Sequence, residues 1–405
     1  MFRIELIGIS PGAGLDARQR EIVNRCGCVV ASSRHRPLLD GCGLEIIPIA
    51  PVAQTLATVA ERLGEQDVAV LASGDPLFFG IGRTLITKFG PERVVVHPAL
   101  SSLQAACAKF GEPWDDIFIL SLHGREAAGV AAKVMGHGKV FCFTDRVNSP
   151  DMVARALLAV CRSIDDEALA SGYTVWVAEN LGQDDERITC GTLTEIAAMA
   201  FADLNVMLLK KPERATASAI AFGLQEEEID HSRGLITKSE VRAATLHHLR
   251  LPQRGVLWDV GAGSGSVGLE AARLCPGLQV FAVERNPEEL ANIRANCRKF
   301  AVYNLTVVEG EAPAPLAGLP DPDRVFVGGS GGNLAEIVNH AASRLPKGGR
   351  LVVNGVIEKT KTAAPPLMHA AGLTVTISEI TVQRRRFPEE AITKMNSIAI
   401  MVGEK

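Results

Sequence analysis

The sequence predicts an α/β protein built as two modules, and three observations carry this. Short apolar, β-branched runs alternate with helical patterns along the chain, the mark of sheets covered by helices. The alternation breaks once, after Lys211. Each side of the break has its own glycine-rich loop, "LASGDPLFFGIG" upstream and "DVGAGSGSVG" downstream. At roughly 100–200 residues per domain, a chain of 405 residues makes two or three domains, and 47% hydrophobic residues give each a core.

In the first module the expected strands are "RIELIGI", "CVVASS", "VAVLAS", "VVVHP", "IFILSL", "KVFCFTD", "TVWVAEN" and "LNVMLLK". Amphipathic helices such as "DARQREIVNRC" and "SSLQAACAKFG" lie between them. The opening "MFRIELIGISPG" carries Arg3 and Glu5 inside its apolar run. It reads as a first strand entering a loop, not as a signal peptide. Residues 212–233 hold Pro212, the acidic run Glu226–Glu228 and no strand pattern. They are the expected linker between domains 1–211 and 234–405.

The second module opens with a helix, "TKSEVRAATLHHLR". The strands "GVLWDVG", "QVFAVE", "LTVVEG", "RVFVGG" and "RLVVNG" then alternate with the helices "SVGLEAARL", "PEELANIRANCRKF" and "NLAEIVNHAASRL". Two last strands, "LTVTISEITVQ" and "SIAIMVG", are expected as an antiparallel pair at the edge of an otherwise parallel sheet. The basic segment "RRRFPEEAITKMN" lies between them.

Composition removes several function classes. Lys and Arg total 42 against 46 Asp and Glu, a net charge of −4. That balance gives no field for nucleic acid or a membrane surface. No uncharged run reaches the ~18 residues of a membrane helix. The nine cysteines are scattered without a CxxC pair and read as buried free thiols in a reducing compartment, which makes the cytoplasm the expected location. His247 and His248 read as ordinary helix residues, and no metal site is expected.

The downstream loop fits two cofactor fingerprints. Gly263-x-Gly265-x-x-Gly268 is the dinucleotide pattern, and Asp259-x-Gly261-x-Gly263-x-Gly265 is that of S-adenosylmethionine enzymes. Charge separates them. A pyrophosphate seeks a helix N-terminus, and a carboxylate at Asp259, expected at the mouth of the loop, repels it. The same carboxylate attracts a sulfonium and an ammonium. Glu284, with Arg285 beside it in "VFAVERN", suits ribose hydroxyls, and Glu311 in "VVEGEAP" suits an adenine amino group. S-adenosylmethionine is therefore the expected cofactor, and an NAD-dependent oxidoreductase the alternative.

The segments "GLITKSEVRA", "WDVGAGSGSVGLEAAR", "VERNPE" and "VFVGGSGG" together resemble the decarboxylating precorrin methyltransferase family of cobalamin biosynthesis. Upstream, "LIGISPG", "LASGDPLFFGIG", "HPALSSLQAACAKFG", "SLHGRE" and "ENLGQDDERI" are similar to the tetrapyrrole methylase family. The resemblance implies a tetrapyrrole-methylase fold of two α/β subdomains, then a Rossmann-like class I methyltransferase. It implies a second S-adenosylmethionine site upstream, at Gly74, Asp75 and Pro76 of "SGDP" and Ser101 and Ser102 of "HPALSS". It further implies methylation of a precorrin at carbon 5 by the first domain and carbon 15 by the second. Loss of the carbon-12 acetate carboxylate goes with this, in a homotetramer assembled through the second domain. A non-catalytic tetrapyrrole-binding protein is the other alternative, and the two intact glycine loops argue against it.

Methyl transfer to an electron-rich ring carbon needs positioning and dryness more than a catalytic triad. A polycarboxylate substrate calls for cationic partners. The candidates are His123 and Arg125 in "SLHGR", Lys238 and Arg242 in "TKSEVR", Arg34 and Arg36, and the run Arg384–Arg386.

Overall fold

Helices start where polar caps in the sequence ask for them. Asp16 and Ser101 each accept the backbone N–H three residues on, while Gln19 and Gln104 reach back to the cap, a reciprocal capping box. The computed structural model describes residues 2–122, 129–213, 220–232, 234, 236–388 and 391–405. The chain falls into two units. One comprises Met1–Glu126, Lys139–Met152 and Thr174–Lys210; the other comprises Ala127–Gly138, Val153–Tyr173 and Lys211–Lys405.

The first unit holds two five-stranded sheets. Strands β1 (Ile4–Ile9), β2 (Cys28–Ala31), β3 (Glu45–Pro48), β4 (Val68–Ser73) and β5 (Val94–His97) form a parallel sheet in the order β3-β2-β4-β1-β5. Strands β6 (Phe118–Ser121), β7 (Lys139–Phe143), β8 (Thr174–Glu179), β9 (Arg187–Gly191) and β10 (Asn205–Lys210) form a mixed sheet, β6-β7-β10-β8-β9. Two sheets match the two subdomains expected. The central strands β1 and β4 are almost wholly buried, as a sheet covered on both faces requires.

The second unit is built on one sheet. Its strands are β11 (Arg254–Val260), β12 (Gly277–Glu284), β13 (Leu305–Glu309), β14 (Arg324–Val327), β15 (Arg350–Gly355), β16 (Thr374–Ile380) and β19 (Ile398–Glu404). The order is β13-β12-β11-β14-β15-β19-β16. The first five are parallel, and β19 runs antiparallel to both β15 and β16, as the edge pair was expected to do. The basic segment between them forms a separate hairpin, β17 (Gln383–Arg386) with β18 (Ala391–Lys394). Strand order reverses between β11 and β14, so a crevice opens at their carboxyl ends, the usual ligand position of such sheets.

Two expectations need correction. The thiols are not all buried: Cys190 is exposed, and Cys42 and Cys275 are half-buried. Residues 220–232 of the expected linker are packed rather than free. Leu224 and Ile229 are buried, and Asn296 exchanges hydrogen bonds with the Asp230 backbone at 2.8 and 2.9 Å. Among the described residues no helix is long and apolar enough to cross a membrane.

Candidate functional site

At the carboxyl end of β11 the chain makes a tight loop and enters the helix Ser266–Leu274. Gly261 has φ +65, and a Cβ there would lie 2.1 Å from the Gly329 carbonyl oxygen. Only glycine lets the loops after β11 and β14 approach so closely. Gly268 is required for a different reason, because its Cβ would lie 2.7 Å from Asp259 Oδ2. That oxygen instead accepts the Gly268 N–H at 2.8 Å.

Asp259 thus lies beneath the loop and not at its mouth, fully buried. Its Oδ1 has no hydrogen-bond partner among the described residues. Burial, helped by the Glu284 charge and opposed by the Gly268 N–H, pushes its carboxyl up to about 7. The reason is local. The glycine at 268 brings the helix onto the strand and leaves the Asp259 side chain no path to solvent.

Two cavities open at this end of the sheet and share Gly261. The smaller, about 200 Å3, is lined by Glu284, Arg285, Glu311 and the glycines after β13 and β14. Glu284 Oε2 accepts the Gly263 N–H at 2.8 Å, and its Oε1 accepts the N–H groups of Arg285 and Asn286 at 2.8 and 2.9 Å. Arg285 pairs with Glu311 at 2.6 Å. The larger cavity, about 420 Å3, has Lys238, Asn354 and Asn396 among apolar walls that include Phe326, Val382 and Met395. The smaller cavity suits a nucleoside with hydroxyls to hold, and the larger an extended, partly apolar molecule. Asp259 itself lines neither cavity.

The cations named from the sequence separate into groups. Lys238 lines the larger cavity and pairs with Glu226 at 2.7 Å. Arg384 reaches the same Glu226 at 2.6 Å and grips Glu240 through two bonds of 2.8 and 2.6 Å. Arg242 does not reach the cavities. It is buried against Glu270 at 2.7 Å, and also donates to the carbonyls of Thr237 at 2.8 Å and of Leu224. Its guanidinium is engaged internally, so it fixes the segment before the helix Ser239–Leu249 and offers nothing to a substrate. His123 and Arg125 lie outside the described residues. Sequence reasoning did not foresee Glu226, Glu240 and Glu270 as the partners of Lys238, Arg242 and Arg384. Glu270 left a signal as a carboxylate within the otherwise apolar "SVGLEAA", and Glu226 as part of the acidic run 226–228.

In the first unit, Gly74, Asp75 and Pro76 form the loop after β4, beside the ends of β1 and β5. The Gly74 N–H donates to the Ile9 carbonyl at 2.7 Å, and Asp75 Oδ1 accepts the Leu77 N–H at 2.8 Å. Ser101, after β5, caps the helix Ser102–Phe110, and a Cβ on Gly74 would sit 3.2 Å from the Ser101 Cα. The five upstream residues named from the sequence are therefore one cluster. The loop carries on to Phe78 and Phe79, which pack on Phe143 of β7 at 5.6 and 5.3 Å between ring centroids. Leu77, Phe79 and Leu100 nevertheless remain exposed around it.

Two family models match the chain: tetrapyrrole (corrin/porphyrin) methylases over residues 3–197, and the precorrin methyltransferase domain over 229–387. A precorrin-6Y C(5,15)-methyltransferase (decarboxylating) from Sinorhizobium sp is 34% identical over 93% of this chain and 89% of its own length. One of the same description from Mycobacterium tuberculosis is 31% identical over 90% and 88%. A cobalt-precorrin-6B C(15)-methyltransferase (decarboxylating) from Salmonella typhimurium is 43% identical over 34% of this chain and 69% of its own.

Proposed function

The chain belongs to the family of decarboxylating precorrin-6Y C(5,15)-methyltransferases, and on that premise we propose that it methylates a precorrin at carbons 5 and 15 and releases the carbon-12 acetate carboxylate as carbon dioxide, taking precorrin-6B to precorrin-8. The observation that carries this reading is the pair of glycine-built sites, one in each half that a family model matches. When bound, S-adenosylmethionine supplies an electrophilic methyl group. In the second unit Glu284, Arg285 and Glu311 are the residues to hold its adenosine. The loop through Gly261, Gly263 and Gly265, over Asp259, is the place for its cationic end. Gly74, Asp75, Pro76, Ser101 and Ser102 are the counterparts in the first unit.

The ring carbon is the nucleophile, so the protein's task is to orient it and exclude water. The apolar walls of the larger cavity serve this in the second unit, and the exposed Leu77, Phe79 and Leu100 serve it in the first. Lys238 and Arg384 take the carboxylate arms by exchanging them for Glu226 and Glu240, and Arg385, exposed on the hairpin, meets a further arm. His123 and Arg125 are proposed for arms in the first site. The two methylations are assigned to residues 1–211 and 234–405 respectively. Assembly into a homotetramer through the second unit is proposed on the family resemblance alone. Free cysteines fit a cytoplasmic location. The nicotinamide reading is set aside because the relatives that cover nine-tenths of the chain are methyltransferases.

Mass spectrometry of products from precorrin-6B and S-adenosylmethionine tests the proposal. The full chain should add two methyl groups and lose one carbon dioxide. Gly261→Ala should add one methyl and retain the carboxylate. Gly8→Ala, whose Cβ would lie 2.4 Å from the Gly74 carbonyl oxygen, should spare only the second-site chemistry. Decarboxylation surviving in Gly261→Ala at the wild-type rate would refute the assignment.

A further inference from the structure

At the opposite end of the seven-stranded sheet, by the amino ends of β14 and β15, lies a cavity of about 820 Å3. Its polar lining is Arg250, Arg324, Arg350, His247, His248 and Glu404. Two of the arginines have an internal task. Arg324 Nε donates to the Arg250 carbonyl at 3.1 Å, and Arg350 Nη1 to the His248 carbonyl at 3.1 Å. Both satisfy carbonyls left open where the helix Ser239–Leu249 ends. A capping role does not account for the rest of the cluster. Arg324 Nη2 and Arg350 Nε have no hydrogen bond among the described residues.

Arg250 is less easily explained by capping. It occupies the left-handed C-cap at φ +45, a place that favours glycine or asparagine. Its side chain is exposed and its guanidinium makes no hydrogen bond among the described residues. One carboxylate lines the cavity, Glu404, 2.6 Å from Arg350. The nearby Asp323 carboxylate is engaged with the Val256 N–H at 2.8 Å. Burial, and then the charges of Arg350 and Arg250, hold the Arg324 guanidinium below its ordinary range, opposed by the Asp323 and Glu404 carboxylates.

We propose that this cavity binds a multiply charged oxyanion, phosphate or polycarboxylate, at a site separate from methyl transfer. Guanidinium forks match planar and tetrahedral oxyanions. The volume lies in the small-molecule range of about 300–1,000 Å3, room enough for an anion of this class. Glu404 is the internal competitor, displaced from Arg350 when the anion enters.

Calorimetric titration of the full chain with pyrophosphate, citrate and acetate tests this. Pyrophosphate or citrate should saturate, the tighter of the two naming the source, with acetate at least roughly 10-fold weaker. Arg250→Asn removes the charge and suits the left-handed backbone, so it should fold and weaken binding by roughly 10-fold or more. Glu404→Gln should tighten binding. Neither should alter S-adenosylmethionine binding, because neither residue lines the cofactor cavities. Failure of both polyanions to saturate overturns the proposal, as does anion affinity unchanged in both variants, the result expected if the arginines only cap the helix.

Discussion

Asp259 sits in an environment far from its ordinary chemistry. Its carboxyl, normally titrating near 3.8, is pushed up to about 7 by burial. Between those values the folded chain keeps a proton that the unfolded chain has released. The stability this contributes is present below about pH 4 and is lost as pH rises through 7. Asp259→Asn should therefore flatten the profile, and denaturant titrations from pH 4 to 8 should show wild type losing stability relative to the variant. Parallel profiles would mean that the carboxyl does not titrate in this window. A cation bound over Asp259 favours its ionised form, so S-adenosylmethionine binding near pH 6 should release a proton at the second site. Calorimetry in two buffers of different ionisation enthalpy measures this. The variant should release none there and bind roughly 10- to 100-fold more weakly at that site; unchanged affinity in folded protein would remove Asp259 from the cofactor site.

Among elements, the helices Ser239–Leu249 and Ser266–Leu274 are joined by the buried Arg242–Glu270 pair. Removing one partner leaves an uncompensated buried charge, so Arg242→Met or Glu270→Leu alone should cost about 3–5 kcal/mol in urea unfolding. The double variant should cost less than either single one; additive losses would show that the two do not act as a pair. Sequence reading reached most elements because their periodicity is strong, and it failed where other signals opposed it. The edge strands β3 and β9 are short and carry no alternation. The helix Glu358–Ala370 contains Pro365 and Pro366, residues that argue against a helix interior; burial of Ala364 and Met368 offsets that cost. The glycine loops were legible because a backbone that must turn tightly names its own residues. The Lys238–Glu226–Arg384–Glu240 network was not, because Arg384 and Glu226 are 158 positions apart and their meeting depends on where the hairpin docks. Arg242 looked available for the same reason: nothing local announces that Glu270 lies beside it.

On the scale of the whole molecule, the second unit reaches beyond residues 234–405. Within it Arg298 Nη1 donates to the Ile164 carbonyl at 2.5 Å, and Gly223 and Leu224 donate their N–H groups to Glu270 at 2.8 and 2.7 Å. A fragment starting at residue 220 keeps Leu224, Ile229 and the partners of Glu270. One starting at 234 loses them and should be less stable by at least about 3 kcal/mol, the burial of two large aliphatic side chains. Equal urea midpoints for 220–405 and 234–405 would show that segment 220–232 adds nothing. The place of β19 has a consequence for synthesis. β16 leaves the ribosome before β19, yet β19 is its neighbour in the sheet, and it also covers the edge of β15. Until β19 emerges, β15 presents an open row of amides and carbonyls, and β16 has no strand of that sheet to join. A nascent chain stalled at this stage exposes the template that draws other chains into aggregates. Ribosomal pausing within the hairpin codons should therefore harm yield more than pausing elsewhere in the second half.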